Sequence, residues 1–411
     1  MTAKDVRILR ELARQVRDIA ESPRMVELKK KWFAHNNRET AEPMVFIELF
    51  DIKDPMFPAL LQCETEEARA IEKKLRTRIY QAKNVQDDTV VDANWHVNWK
   101  VRTHGWKEKL QEKRSLDMEG RNLGHVAVPV LEEPWDVEEL EKSSFEVDRE
   151  GTMQELWRMQ CLFGDILNVQ IEGVYWWTMG TTATFLRITG MEDFLLMPYD
   201  DPEAFHRIMQ FMEDDQLAFL DFLQQEDLLT LNCANQYVGS GTHGFTNLLP
   251  ARDFTGVVRP RDLWVLMESQ ESVTMSPKMF GEFIFPYQKR MAERFGLCYY
   301  GCCEPLHDRF DYVRTIENLH SLSISPWCDM ASIAEQMEGK YIFCRKPNPA
   351  WISTERFEDE LLREDTRAAL AVTKDLPSEF VMKDLHTVNG DFDRCRRWTE
   401  LVREEIVRAR G

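Results

Sequence analysis

The chain has 411 residues, of which 43% are hydrophobic and 30% charged, and it carries a formal net charge of −19 at pH 7. This length suffices for one large domain or two ordinary ones, and the apolar fraction excludes a disordered chain. The acidic balance, without a basic stripe to meet phosphates, argues against a nucleic-acid partner.

Targeting signals and cysteine usage indicate the compartment. The first residues open a charged helical pattern without the apolar core of a signal peptide, and no stretch approaches the length of a membrane span. The nine cysteines are irregularly spaced, which favours reduced thiols over a secreted disulfide scaffold. We therefore expect a cytoplasmic protein without a membrane partner.

The first half of the chain alternates between helical and strand patterns. Apolar residues at helical spacing predict a helix over 4–34. Further on, the patterns predict strands over 45–50, 89–95 and 166–171 and helices over 64–83, 150–163 and 181–224. Residues 100–150 are rich in charge and proline, and they predict an insertion or lid.

The second half alternates more regularly. Short apolar runs predict strands over 228–233, 263–267, 297–302, 319–324, 341–344 and 380–385, and helical patterns follow most of them. About eight strand–helix repeats favour a (β/α)₈ TIM barrel over an open α/β sheet. No glycine-rich nucleotide-binding motif follows a strand. We predict one domain over 1–411, with residues 1–40 as an N-terminal helical extension.

In such a barrel, active-site residues lie just past the carboxyl ends of the strands. Polar side chains that follow these ends are the candidates for chemistry and binding: Glu48, Asp92, Asn235, Gln236, Glu268, Glu271, Cys302, Cys303, Glu304, Cys328, Lys383, Asp384 and His386. Several tryptophans also fall near strand ends, among them Trp176 and Trp177. They could wall an aromatic substrate or pack in the core.

Two adjacent thiols stand at the end of the sixth predicted strand, in the run Tyr300-Gly301-Cys302-Cys303-Glu304. Sulfur ligands at such a position are typical of a zinc site. Because side chains alternate along a strand, both thiols reach one site only if the strand ends by Gly301. The residues alone leave open whether the thiols bind metal or pack.

The segment 276–283 followed by Pro286-Tyr287 resembles a helix motif of the uroporphyrinogen decarboxylase superfamily. Residues 340–349 are similar to that family's Gly-Asn-x-x-Pro turn, without its glycine. The resemblance covers about residues 160–409 and points to the corrinoid-dependent methyltransferases. The decarboxylase branch has an arginine-rich sequence where this chain has residues 48–51, so porphyrinogen decarboxylation is not expected.

The zinc methyltransferase branch carries His-x-Cys at the sixth strand and a further cysteine near the last one. Here the first motif lacks its histidine, and His386 stands near the later position. The resemblance thus implies a zinc ion held by Cys302, Cys303 and His386, and Glu304 or Cys328 could complete the ligand set.

The same resemblance implies an O-demethylase-like reaction. Zinc would act as a Lewis acid on a methoxylated, aromatic small molecule. The methyl group would pass to a cobalamin carried by a corrinoid-binding partner protein, and Glu271 or Glu268 would protonate the leaving oxygen. Trp176, Trp177, Asn235, Gln236 and Asp92 would bind the substrate.

Alternative functions stay open at this point. One is methyl transfer from a methylcorrinoid to a thiol or folate. Another is a metal-independent decarboxylase or tetrapyrrole-binding member of the superfamily. Dimers occur in that family, so the resemblance also allows a homodimer.

Overall fold

The computed structural model describes residues 1–54, 60–116, 122–131 and 136–410. Within these residues the strands are β1 Met44–Ile47, β2 Asn94–Asn98, β3 Lys100–His104, β4 Gln111–Leu116, β5 Asn122–Val128, β6 Ser144–Asp148, β7 Asn168–Glu172, β8 Trp264–Met267, β9 Leu297–Tyr300, β10 Leu319–Ile324, β11 Ile342–Arg345 and β12 Ser378–Met382.

The α-helices surround and connect these strands. They are α1 Ala3–Ala20, α2 Pro23–Asn36, α3 Glu66–Tyr80, α4 Arg149–Phe163, α5 Thr182–Thr189, α6 Met191–Asp200, α7 Pro202–Gln225, α8 Pro277–Met279, α9 Phe285–Ala292, α10 Phe310–Val313, α11 Met330–Met337, α12 Ala350–Ser353, α13 Asp359–Val372 and α14 Asp393–Arg410. A π-helical turn, Phe280–Ile284, joins α8 to α9.

A parallel sheet of six strands forms the centre of the fold, in the order β1-β12-β11-β10-β9-β8. Every adjacent pair is parallel, and nearly every residue of the six strands is buried. Strands covered on both faces read as continuous apolar runs, which is why the sequence patterns located them. The structure is therefore mixed α/β with a parallel sheet, as predicted.

Strands β2 and β7 form a separate parallel pair. The predicted strand over 228–233 is not part of a ladder. Side chains of this segment bond to the neighbouring strands instead. Thr230 Oγ accepts a hydrogen bond of 2.9 Å from the Gly173 amide, and the Asn232 side chain makes two hydrogen bonds with the Trp264 backbone. A sequence pattern of apolar residues does not distinguish these two ways of joining strands.

The predicted strand over 89–95 also differs, because β2 begins at Asn94. The carboxylates of Asp87 and Asp88 accept hydrogen bonds from the Ile47 and Val45 amides at 3.0 and 2.8 Å. Side-chain carboxylates thus accept the hydrogen bonds of the backbone amides at the free edge of β1, where a regular neighbouring strand was expected.

The single helix predicted over 4–34 is two helices. Ser22 caps α2 by accepting from the Met25 amide, and Pro23 occupies its first position. Both residues are helix-start signals, so the break has a local cause. In the predicted insertion, described residues form two antiparallel pairs, β3 with β6 and β4 with β5.

Apolar packing holds the helices against the sheet. The largest cluster joins β8, β9 and β10 to α5, α6, α7 and α9, and the Phe185 and Phe205 rings lie 4.4 Å apart there. A second cluster packs α1, α2 and α3 with β2 and β7. Burying one such side chain contributes about 1.5–3 kcal/mol. Among the described residues, no helix has both the length and the apolarity needed to cross a membrane.

Candidate active site

The carboxyl ends of the parallel strands share one edge of the sheet. Glu48 follows β1, Glu268 follows β8, the run Cys302–Glu304 follows β9, and Lys383 follows β12. Side chains from distant parts of the sequence therefore meet at this edge, and loop 235–243 lies against them.

Gly301 directs the two thiols. Strand β9 ends at Tyr300, and Gly301 has a φ of +97°, which disfavours any residue with a side chain. A Cβ there would lie 2.9 Å from Leu306 Cδ1 and 3.3 Å from Ser323 Cβ. After this turn, the Sγ atoms of Cys302 and Cys303 lie 3.5 Å apart. We call these two residues the thiol pair.

Lys383 places a cation beside the thiol pair. Its Nζ lies 3.7 Å from Cys302 Sγ and donates to Ser240 Oγ at 2.8 Å, while the Ser240 hydroxyl donates to Cys302 Sγ at 3.6 Å. All three residues are buried. The hydrogen bond from Cys303 and the charge of Lys383 lower the pKa of Cys302 although burial opposes this. Cys302 is therefore the more acidic thiol of the pair.

Cys303 is the less acidic thiol. Its hydrogen bond to Cys302, together with burial and the charges of Cys302 and Asp384, raises its pKa. Cys303 Sγ also lies 3.5 Å from Asp384 Oδ2, and Asp384 Oδ1 lies 3.5 Å from Lys383 Nζ. Burial alone would lower the pKa of Lys383. The charges of Cys302, Glu48 and Asp384 outweigh this effect and raise the pKa. An ammonium group, two thiols and a carboxylate thus form one cluster.

Glu48 extends this cluster toward a cavity. Its carboxyl is buried and accepts a short hydrogen bond from the Tyr237 hydroxyl. Burial raises the pKa of Glu48 against the opposing effects of Lys383 and Tyr237. Tyr237 and Ser240 were not singled out from the sequence. They lie in a long polar loop, and only the folded contacts mark them.

Two buried carboxyls lie next to the thiol pair. Glu304 bridges two loops, because its oxygens accept from the Ser269 and Cys302 amides, each at 2.9 Å. Glu268 receives a bond of 3.1 Å from the Gln270 amide at one oxygen, and its buried Oε1 has no partner among the described residues. Burial and the charges of Glu304 and Glu271 raise the pKa of Glu268 well above its usual range.

The hydrogen bonds distinguish the two carboxyls. Glu304 needs both oxygens as acceptors, so it favours the ionised form, although burial also raises its pKa. Glu268 is therefore the neutral acid of the two. The other predicted acid, Glu271, is half-buried and accepts from Thr182 Oγ at 2.6 Å.

Three predicted substrate-binding residues line one cavity of about 260 Å³, namely Trp176, Asn235 and Gln236. Tyr237 lines it too, which connects the cavity to Glu48. Trp177 lies nearer the thiols, with Lys383 Nζ 5.3 Å from its ring centroid. Asp92 lies elsewhere: Arg78 and Asn235 hold its carboxylate at 3.0 and 2.9 Å, and it faces a second cavity.

The side chain of His386, the third predicted zinc ligand, does not contact the thiol pair in the described part of the chain. The His386 side chain is exposed, and its carbonyl accepts from the Lys53 amide at 2.9 Å. Asp384, two residues earlier, contacts Cys303 instead. Cys328 is buried, and burial raises its pKa. In the described ranges, no three His, Cys, Asp or Glu side chains are arranged to hold a metal ion.

The thiol pair itself fits a zinc ion as two ligands. Zn–S bonds of about 2.3 Å at tetrahedral angles place two sulfurs about 3.8 Å apart. The observed separation is 3.5 Å. Asp384 is a further donor with suitable chemistry, since its Oδ2 lies 3.5 Å from Cys303 Sγ.

No protein-family model matches this chain, and no curated protein matches it in a sequence search.

Proposed function

We propose that this protein is a zinc-dependent methyltransferase that moves a methyl group from a methoxylated, aromatic small molecule to a corrinoid protein. We also propose that its sheet closes as a barrel of the TIM type, with 228–233 joining β7 to β8 through the contacts of Thr230 and Asn232. The observation that carries the functional proposal is the adjacent thiols of Cys302 and Cys303, with Lys383 in contact with Cys302, at the carboxyl edge of a parallel sheet.

The thiol pair would hold the metal, and Asp384 or His386 would add a ligand. Zinc bound there would supply Lewis-acid activation of the methyl ether oxygen. Lys383 stabilises the anionic form of Cys302 before any metal arrives, because its ammonium is buried at 3.7 Å from the sulfur. A preformed thiolate favours metal capture, since ligating thiols must lose their proton.

Glu268 would provide the proton that the reaction needs. When the methyl carbon–oxygen bond breaks, the methyl group goes to the reduced corrinoid and the oxygen keeps the electron pair. The oxygen would otherwise leave as a phenolate or alkoxide, and proton transfer to it as the bond breaks would make it a better leaving group by giving a neutral phenol or alcohol. Glu268 suits this task better than Glu271, because burial and neighbouring charges raise its pKa and favour its protonated form, and its Oε1 has no competing partner in the described structure.

The substrate would lie in the cavity beside Tyr237, against Trp176 and with Gln236 and Asn235 as polar contacts. The edge around the thiol pair also carries exposed aromatic side chains: Phe50 is 65% exposed, Trp177 44% and Trp327 68%. Exposed aromatic residues of this size are typical of protein contact surfaces. They favour a partner protein as the methyl acceptor over a small diffusible thiol.

Metal content tests the site first. Purified protein should carry about one zinc ion per chain. Cys302→Ser and Cys303→Ser should each lose most of it, whereas Cys161→Ser, at an exposed thiol on α4, should retain it. Asp384→Asn and His386→Ala then identify the third ligand. Full zinc occupancy in both thiol-pair variants would reject the site.

Activity tests the reaction. Reduced cobalamin is mixed with the protein and a panel of methoxylated aromatics, methyl thioethers and methyl-folate, and methylation of cobalt is followed by absorbance. Methylation by methoxylated aromatics alone supports the proposal, and Glu268→Gln should slow it at least about a hundredfold. Reaction with folate or thioether donors alone, or retention of the wild-type rate in Glu268→Gln, contradicts it.

A further inference from the structure

A second, larger cavity of about 690 Å³ lies beside the proposed substrate cavity and is not used by the proposed chemistry. Helix α3 forms one wall, residues 49–54 after β1 form another, and β2 closes it. We call it the α3 cavity. It shares His96 and Asn235 with the smaller cavity, and its volume lies in the range of small-molecule sites.

The charges facing the α3 cavity are not balanced. Asp92 is paired with Arg78, and Asp54 accepts from the Thr387 hydroxyl and from backbone amides at 388 and 390. Lys73 and Lys74 also line the cavity, and neither makes an ion pair within the described part of the chain. Two exposed lysines without an ion pair in the described ranges thus line one cavity in a chain with a net charge of −19.

The remaining wall is apolar and aromatic. Leu49, Ile52 and Trp95 are buried along it, whereas the Phe50 ring is 65% exposed. That ring contacts Tyr237 edge to face at 5.9 Å, which leaves its other surface toward the cavity and solvent. An exposed phenyl ring beside unpaired cations suits a ligand that is apolar at one end and anionic at the other.

We propose that the α3 cavity binds an organic anion with a flat apolar body, whose carboxylate lies against Lys73 and Lys74 and whose body packs on Phe50. Recognition requires only these described groups. The inference does not depend on methyl transfer, so binding at this cavity and the reaction at the thiol pair fail or succeed separately.

Calorimetric titration of the full chain tests the proposal with three probes of equal shape: naphthalene-2-carboxylate, its neutral carboxamide and 2-naphthylmethylamine. The carboxylate should bind more tightly than the other two, and 0.5 M NaCl should weaken it, since exposed charge pairs are screened. The double variant Lys73→Ala/Lys74→Ala should weaken carboxylate binding about tenfold. Phe50→Ala should weaken binding of the carboxylate probe by a similar factor.

The matched control is Lys29→Ala/Lys30→Ala on α2, which removes the same charge away from the cavity. It should bind the carboxylate within about twofold of wild type. Equal binding of carboxylate and carboxamide, an equal loss in both double variants, or no binding of the carboxylate would overturn the proposal.

Discussion

Replacing Gly301 with alanine should destabilise the protein and disturb the thiol pair together. The φ of +97° costs an alanine about 1–2 kcal/mol, because its Cβ crowds the backbone in that region. The added Cβ would also lie 2.9 Å from Leu306 Cδ1 and 3.3 Å from Ser323 Cβ, inside normal contact distance. Overpacking of this kind costs about 1–3 kcal/mol more.

Gly256 provides a matched control for the two costs. Its φ is +101°, and a Cβ there would meet nothing within 4 Å. Gly256→Ala should therefore show the backbone cost alone. The difference between the two variants should be about 1–3 kcal/mol in the free energy of unfolding, measured by urea denaturation.

The thiols report the same perturbation locally. In Gly301→Ala, the alkylation rates of Cys302 and Cys303, followed by mass spectrometry of their peptides, should differ from wild type, because the turn that directs both sulfurs moves. In Gly256→Ala they should not. Equal destabilisation by the two substitutions, with unchanged alkylation in both, would refute the contacts assigned to Gly301.

Three further predictions concern buried ionisable side chains. Lys383→Met should slow alkylation of Cys302 at pH 7 at least several-fold, because the thiolate loses its cation, and an unchanged rate would refute that role. His320 has a pKa lowered by burial to about 3, so its neutral form belongs to the folded state. The stability it contributes is complete above the ordinary pKa of 6.5 and is lost as the pH falls toward 3, by up to about 1.4 kcal/mol per pH unit. His320→Asn should flatten that part of the stability–pH curve, and an unchanged slope would contradict it. Asp365→Asn should cost about 3–5 kcal/mol in urea denaturation, because it leaves the buried Arg345 guanidinium without its counter-charge.

An exposed ion pair serves as the reference for the last substitution. Asp221 and Arg294 lie 3.1 Å apart with both side chains near half exposure. Asp221→Asn should cost less than about 1 kcal/mol. A similar cost for Asp221→Asn and Asp365→Asn would show that burial does not determine the effect.

The sequence predicted the strands of the main sheet because burial on both faces requires continuous apolar runs, as in β10. It did not distinguish the segment 228–233, where Thr230 and Asn232 side chains replace a backbone ladder. The break between α1 and α2 was not predicted, although Ser22 and Pro23 are both helix-start signals in the sequence.

The site was predictable at the level of strand ends but not of individual contacts. Cys302, Cys303 and Glu268 follow strands whose ends the pattern located. Which residue after β12 contacts the thiols depends on the backbone: Asp384 has a φ of +57°, and its carboxylate rather than the His386 ring reaches Cys303. Ser240 comes from a loop more than fifty residues earlier in the chain, and no local pattern connects it to Cys302.

Glu304 has a mechanical consequence beyond its charge. Its two oxygens fasten the amide that follows Glu268 and the amide of Cys302 to a single rigid group. We therefore expect the loops after β8 and β9 to move together, which would preserve the spacing between Glu268 and Cys302 when either loop moves. A ligand that pushes the thiol pair outward would move Glu268 with it. The distance between the proposed proton donor and the sulfurs would then change little.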